Sequence, residues 1–565
     1  MHSPRFHTRF AALAALIALV AGACSKSTPS GAPTPSGAAA LTAITTAWPA
    51  DVTSLDPAND STNQDHTLNR NIYETLLSTK FAEQSDGTLK FVGANVTADL
   101  AQSWDLGPDS VTFHLRPGVT FYGTTDTVTA EDVKWSLGRV WSTPGVGDFQ
   151  ANGLQKPDQI QIVDPLTVKI NFVDSKGAPT PPTPTLLAIF DQFYTSIADE
   201  NLVKPHETAD DPTGAKWLRS NTAGTGPYYI ADRKPGVSLT LKAVPNHWAP
   251  APSYQTVNIQ ISTASISSLL QSGQVTLGES GMTNAQVNAL AKAGLTVDWQ
   301  NTGNFDMFAI TAAPAAQVGP LANPNVRQAI AYVMPYDQIL NNVVFGRGAR
   351  DLSIVSPSAP EYTPAWSMYT TNLDKAKQLM AAAGNPAINM PLHFLQGDED
   401  QKNTALLIQN ALKDLGITTV LTPETQSGLF DVLDARSTPA AGAQIGPPGM
   451  ELFNWSAWTD DPKIVIGYWA TTGGINNYTL WSDPSVDAAN TKYALLPTSA
   501  DRTAAYQTAQ TTIAQGAAMI PIVQTGFVTV VAKGISGVSF SPGGSGRYWT
   551  LHPTGTTSAL DKMFE

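Results

Sequence analysis

The chain has 565 residues, 42% of them hydrophobic and 13 of them Trp, which is enough apolar mass for a large core divided over roughly two or three domains. Its 46 acids against 33 bases leave a net charge of −13. No Lys/Arg cluster interrupts that surplus, so nucleic acid and anionic membrane surfaces are poor partners. With Cys24 the only cysteine, internal disulfides are excluded and stability must come from packing.

The chain opens with Arg5 and Arg9 ahead of "FAALAALIALV", an apolar run too short for a stable membrane span. "AGA" then supplies small residues before Cys24, and "SKSTPSGAPTPSGAAA" follows as a flexible Ser/Pro/Gly tether. A signal peptide running into small residues and a cysteine resembles a bacterial lipobox, with Ala21 standing where leucine is usual. That resemblance implies a signal peptide over 1–23, a diacylglycerol-bearing Cys24 as the mature N-terminus, and a tether over 24–40. Two acyl chains hold a protein at a membrane firmly. The best later candidate for a span, "AAMIPIVQTGFVTVVAKG", is broken by Pro521, Gln524, Gly526 and Lys533. The expected location is therefore the extracytoplasmic face of the cell membrane, held by lipid.

Along the body, "LTAITTAWPADVTSLDP" reads as a strand followed by a turn at Asp56-Pro57, and "TLNRNIYETLLST" as a short amphipathic helix. "SVTFHLRPGVTF" alternates, with Val111, Phe113 and Leu115 on one face and a turn at Pro117-Gly118. Thr129 and Asp132 form a variant capping box that starts a helix over "TAEDVKWSLGRV". "VSLTLKAV" and "TVNIQIS" are further alternating strands. In the second half "NPNVRQAIAYVMPYDQILNNVVFG" has helical spacing interrupted at Pro335, and "LDKAKQLMAAAG" is a helix ending at Gly384. "PLHFL", "NTALLIQNALKDLG" and "ITTVL" read as strand–helix–strand capped at Gly416, which suggests a mixed or parallel sheet. "MIPIVQTGFVTVV" is strand-like and can return to the first half.

The usual catalytic constellations are missing. Eight scattered histidines form no HxH or HExxH pair, so no metal site is expected. "PGGSGRY" lacks the closing glycine of a nucleophile elbow, and "GTGPYY" is neither a dinucleotide fingerprint nor a phosphate loop. "GDEDQKN" stacks Asp398, Glu399 and Asp400 without calcium-loop spacing and reads as a solvated loop before a helix. Asp460-Asp461 offers paired carboxylates, but adjacent acids in a Pro-containing loop form turns more often than acid–base pairs. Binding without chemistry is the expectation, with no cofactor.

Six stretches in order resemble the large extracytoplasmic solute-binding proteins of ABC importers, the dipeptide-, oligopeptide- and nickel-binding family. They are "LDPANDSTNQDHTLNRNIYETLL", "LAQSWDLGPDSVTFHLRPGVTFYGTTDTVTAEDVKWSLGRV", "GTGPYYIADRKPGVSLTLKAVPNHW", "NPNVRQAIAYVMPYDQILNNVVFGRG", "NLDKAKQLMAAAG" and the strand–helix–strand around Leu415. The resemblance implies an α/β, two-lobed, type II-like periplasmic-binding-protein fold with an extra subdomain in the first lobe. The expected division is lobe I over 41–77, the subdomain over 78–218, lobe I again over 219–305, lobe II over 306–520 and a return over 521–565. It also implies a monomer that closes over a small solute, most often an oligopeptide, and hands it to a membrane permease with its ATPase subunits. A non-peptide ligand such as a sugar or opine is the alternative within that role, and a surface glycosidase or a sensor module lies outside it.

Peptide-binding relatives carry Trp-x-x-Asp before an Asp-Pro-like pair, and that aspartate holds the ligand's α-ammonium through a charge-assisted hydrogen bond. In "LFNWSAWTDDPKIVIGYW", aligning Trp455 and Asp461-Pro462 without a gap puts Trp458 at the amine position. Taking Trp458 as the leading tryptophan brings Asp460 or Asp461 there instead, and the sequence leaves both registers open. Trp455 and Trp458 can equally be core residues. Trp48 and Asn63 fall in a segment that contributes to the cleft in relatives. Arg327 is expected in a structural ion pair or hydrogen bond, and Tyr73 in packing.

Overall fold

The computed structural model describes residues 42–83, 89–143, 145–182, 184–300, 304–310, 318–437, 448–456, 461–540 and 546–556. Cys24 and its tether lie outside them, as do Trp458 and Asp460. Two mixed sheets organise the body over residues 41–565. The first runs, edge to edge, Thr296–Gln300, Phe527–Val531, Leu277–Gly278, Ile44–Trp48, Thr256–Ile261, Ser238–Ala243 and Tyr228–Lys234. Ile44–Trp48 pairs in parallel with Thr256–Ile261, so that Ile44 faces Val257 and Trp48 faces Ile261. The alternating residues Leu239, Leu241, Val257 and Ile259 are all buried beneath it, the period-2 pattern of a half-covered sheet.

The second sheet runs Ala349–Arg350, Met519–Gln524, Asn304–Ile310, Met450–Ser456, Ile388–Leu395 and Ile417–Glu424. Ile388–Leu395 and Ile417–Glu424 are parallel neighbours joined by the helix Glu399–Lys413, the strand–helix–strand unit expected from the sequence. Trp366 is fully buried in this lobe, and its indole N–H donates to the Met519 carbonyl at 2.9 Å. Arg327 serves the same core, donating to the carbonyls of Gly516, Leu321 and Ala322. The extra subdomain carries a four-stranded antiparallel sheet of Ala101–Leu106, Ser110–Leu115, Thr167–Asn171 and Ile160–Asp164. Val111, Phe113 and Leu115 face its core, and the capping box of Thr129 and Asp132 starts the helix Ala130–Arg139.

The chain passes from the first sheet to the second between Gln300 and Asn304 and returns at Thr525–Gly526. Gly526 makes the second change possible: its φ is +58°, and a β-carbon there would collide with the Gln300 carbonyl. The first helix spans Asn63–Ile72 rather than running on to Thr79, because Thr62 and Asp65 cap it early and Tyr73 turns extended at φ −126°. Tyr73 is a packing residue, buried with its hydroxyl donating to the Leu55 carbonyl at 3.2 Å.

One buried acid gives this architecture a pH signature. Asp351 is completely buried beside the second changeover; one carboxyl oxygen accepts from Gln524 and Ser353 while the other has no partner among the described residues. Burial pushes its carboxyl up to about 7, against the hydrogen bonds and the Arg350 guanidinium. The folded state thus holds a proton that the unfolded state has already lost, and stability falls as pH rises from about 4 through about 7. Asp351→Asn is expected to raise stability at pH 8 by about 1–3 kcal/mol. In thermal melts the gain over the parent protein should shrink steadily toward pH 4; a gain independent of pH would refute the titration.

Candidate functional site

A cavity of about 330 Å³ opens where the two sheets exchange strands. The first lobe lines it with Glu279, Ser280, Met282, Asn284, Val287, Phe527 and Val528, and the second with Asp398, Asp400, Gln401 and Asn454. Thr525 and Gly526, the second changeover, form part of the wall. A site at the crossovers is shaped by any rotation of one lobe against the other.

Glu279 directly follows the short strand Leu277–Gly278. The Tyr548 hydroxyl donates to it at 2.9 Å and the Trp48 indole donates as well. Burial pushes its carboxyl up to about 7, with these two donors pulling the other way. Trp48 therefore reaches the cavity through Glu279: its own side chain is buried at the end of the strand Ile44–Trp48.

Asp398 caps the helix Glu399–Lys413 by accepting from the Gln401 amide at 2.9 Å. Asp400 reaches across the cleft, where one oxygen accepts from both the backbone N–H and the side-chain amide of Asn284, each at 3.0 Å. The stacked acids are thus a helix cap and a bond between lobes rather than a solvated loop. Arg347 adds a second bond on this side, donating to Asn288 at 3.2 Å. Elsewhere Lys463 donates to Asn152 at 2.6 Å, and Tyr468 donates to Asp148, which also takes the Tyr194 hydroxyl. Burial pushes the Lys463 ammonium down against the pull of Asp461.

Asp461, one of the alternatives for the amine position, is engaged by its own lobe. It caps the helix Pro462–Trp469 by accepting from the Lys463 amide at 3.0 Å, with Pro462 at the first helical position. The same oxygen takes a hydrogen bond from Arg502 at 2.5 Å, and Arg502 also pairs with Glu361. All three side chains are buried. Asp461-Pro462 is therefore a helix-starting pair. Trp455 lies near the end of the strand Met450–Ser456, opposite Phe305, and its side chain is outside the described residues. Asn63 is exposed in the first turn of its helix and is absent from the described cavity wall.

Beside this cavity, and sharing Gln401 and Asn454 with it, lies an apolar pocket of about 280 Å³. Phe453 stacks on Trp469 with centroids 4.9 Å apart, and Tyr478 meets Trp469 edge-on at 5.5 Å. Leu429, Leu433 and Phe430 complete the wall. A third, tight space of about 30 Å³ sits within the first lobe among Arg70, Glu74, Asp99, Asp191, His247 and Arg547. It is the size of one or two water molecules.

Residues 95–477, more than half of the chain, match the bacterial extracellular solute-binding proteins, family 5 Middle. The chain belongs to that family. A curated relative, the probable D,D-dipeptide-binding periplasmic protein DdpA of Escherichia coli K12, is 25% identical over 503 residues, covering 87% of this chain and 90% of its own. The periplasmic binding protein DppA of Helicobacter pylori, solved with peptide STSA, superposes with a TM-score of 0.69 at 21% identity, over 90% of this chain and 98% of its own. The binding protein MoaA of Agrobacterium tumefaciens R10, solved with mannopinic acid, gives the same TM-score at 20% identity, over 91% of this chain and 100% of its own. One fold thus serves a peptide in one neighbour and mannopinic acid in another, so the ligand must be argued from the side chains of the family 5 cleft. Sequence reasoning missed Glu279, Asn284 and Asn454 in that cleft: none stands in a motif, and each matters through a partner remote in sequence.

Proposed function

We propose that this family 5 protein is the capture subunit of an ABC importer, a lipoprotein anchored through Cys24 on the extracytoplasmic face, with short peptides as its cargo. The observation that carries the reading is a cavity walled by both lobes at their changeovers, with bonds such as Asp400–Asn284 spanning the lobes beside it. Such a body binds reversibly and releases to a permease when the lobes part, with no turnover. The peptide-binding relatives favour peptides, whereas the commitment of Asp461 to Arg502 favours the second reading, a cargo without a peptide's free amine at that position.

The test is native mass spectrometry of the mature body, produced from residue 25 onward, followed by denaturation and identification of what co-purified. A ladder of short peptides is expected. A single non-peptide species would replace the cargo class, and a cleft that captures no solute from cell extract would sink the carrier reading.

A further inference from the structure

Resting on the carrier reading, we infer that Glu279 is the ammonium-binding residue of this cleft and that the ligand is a primary amine bearing an aromatic-sized apolar group, seated in the pocket of Phe453 and Trp469. Three observations carry this. The carboxylates of Glu279, Asp398 and Asp400 belong to the cavity wall, and no Lys, Arg or His stands among its described lining residues. Such a wall favours a cation and rejects an anion.

Of the three acids, Asp398 is engaged as a helix cap and Asp400 in the bond to Asn284, while Glu279 is held from behind. Tyr548 donates to one of its oxygens, Trp48 also donates to the carboxyl, and Gly546 packs so closely that a β-carbon would strike the other oxygen. A carboxylate oriented by neutral donors within the wall of an acidic cavity is positioned to accept from a cation.

The apolar pocket adds the second requirement. It shares Gln401 and Asn454 with the acidic cavity, so one small ligand can fill both. Its wall of Leu429, Leu433, Phe453, Trp469 and Tyr478 suits an aromatic or branched aliphatic group. Phe430, 47% exposed, is on the rim and is not needed for the lobe's core.

Calorimetry on the full mature chain with four probes tests this: phenylalanyl-alanine amide, its N-acetyl derivative, alanyl-alanine amide, and phenethylamine. The parent protein is expected to prefer phenylalanyl-alanine amide to the acetylated form by about 10- to 100-fold, and Glu279→Gln to abolish that gap while keeping the acetylated probe's affinity. Phe430→Ser, a rim change that leaves folding intact, should weaken phenylalanyl-alanine amide but not alanyl-alanine amide. Phenethylamine binding as tightly as the dipeptide amide identifies a free amine as the source of the ammonium; weaker binding identifies a peptide terminus. Equal binding of free and acetylated probes, survival of the gap in Glu279→Gln, or no binding of any probe overturns the assignment. The carrier reading fails separately, through the co-purification experiment.

Discussion

Arg502→Ala is expected to destabilise the second lobe by about 3–5 kcal/mol, among the larger effects of a single substitution. Arg502 is 1% exposed and ties together Glu361 and Asp461, both buried, while its Nε donates to the Tyr493 carbonyl at 3.2 Å. Removing the guanidinium leaves two carboxylates in a dry interior without their cation, and that desolvation cost dominates the loss of the bonds themselves. The variant Glu361→Gln/Asp461→Asn/Arg502→Met, which removes these three charges together, should recover much of the stability. Chemical denaturation followed by tryptophan fluorescence reads both. The same experiment separates two roles for Asp461. As a structural residue, Asp461→Asn lowers the unfolding midpoint and spares ligand affinity at folding temperatures; a ligand contact would do the reverse.

The second large effect belongs to Asp191. It accepts from Arg70 at 2.7 Å, from the Thr79 amide at 2.9 Å, from the Thr79 hydroxyl, and from Arg547 at 3.2 Å. These donors come from the first helix, the strand Leu77–Glu83 and the C-terminal return, so one carboxylate joins three remote segments of the first lobe. Burial pushes the Arg547 guanidinium down to about 10, with Asp191 pulling it up. Asp191→Ala is expected to cost about 3–5 kcal/mol by stranding two buried guanidinium groups. It should also expose amides of Leu77–Glu83 to hydrogen exchange before the second lobe opens. Simultaneous exchange of both lobes would refute the idea that Asp191 anchors a local unit.

Much of the fold was legible because its signals are local. The alternation of Val111, Phe113 and Leu115 and the capping box at Thr129 and Asp132 each involve residues within a few positions of one another, and the helix between the parallel strands ending at Leu395 and starting at Ile417 joins elements that follow one another directly in the chain. The first helix shows the limit. Its amphipathic pattern continues past Ile72, but Gly224 and Gly226 press so tightly against the Ile72–Tyr73 backbone that no side chain could intervene, and the chain leaves extended. A propensity of tenths of a kcal/mol per residue yields to that packing.

The site was far less legible, and the difference is one of sequence separation. Asp400 was visible as one of three stacked acids, but its partner Asn284 is 116 residues away. Asp461 was visible as half of an Asp-Pro pair, and only the fold shows Arg502 arriving from another helix, 41 positions on, to claim it. Glu279 carried no signal at all, since Trp48 and Tyr548 come to it from opposite ends of the chain.

By itself the sequence determined the composition of a large, disulfide-free, acidic body, the order of its strands and helices, and the six blocks that place it in family 5. Those properties are set by backbone propensity, capping and periodic burial, which act over a turn or a pleat. Only the tertiary structure decided which polar groups meet: that Trp48 supports Glu279, that Asp400 bonds to the other lobe, and that Asp461 answers to Arg502. A buried charge takes whichever partner the sheet order brings within about 3 Å, and sheet order is a property of the whole chain.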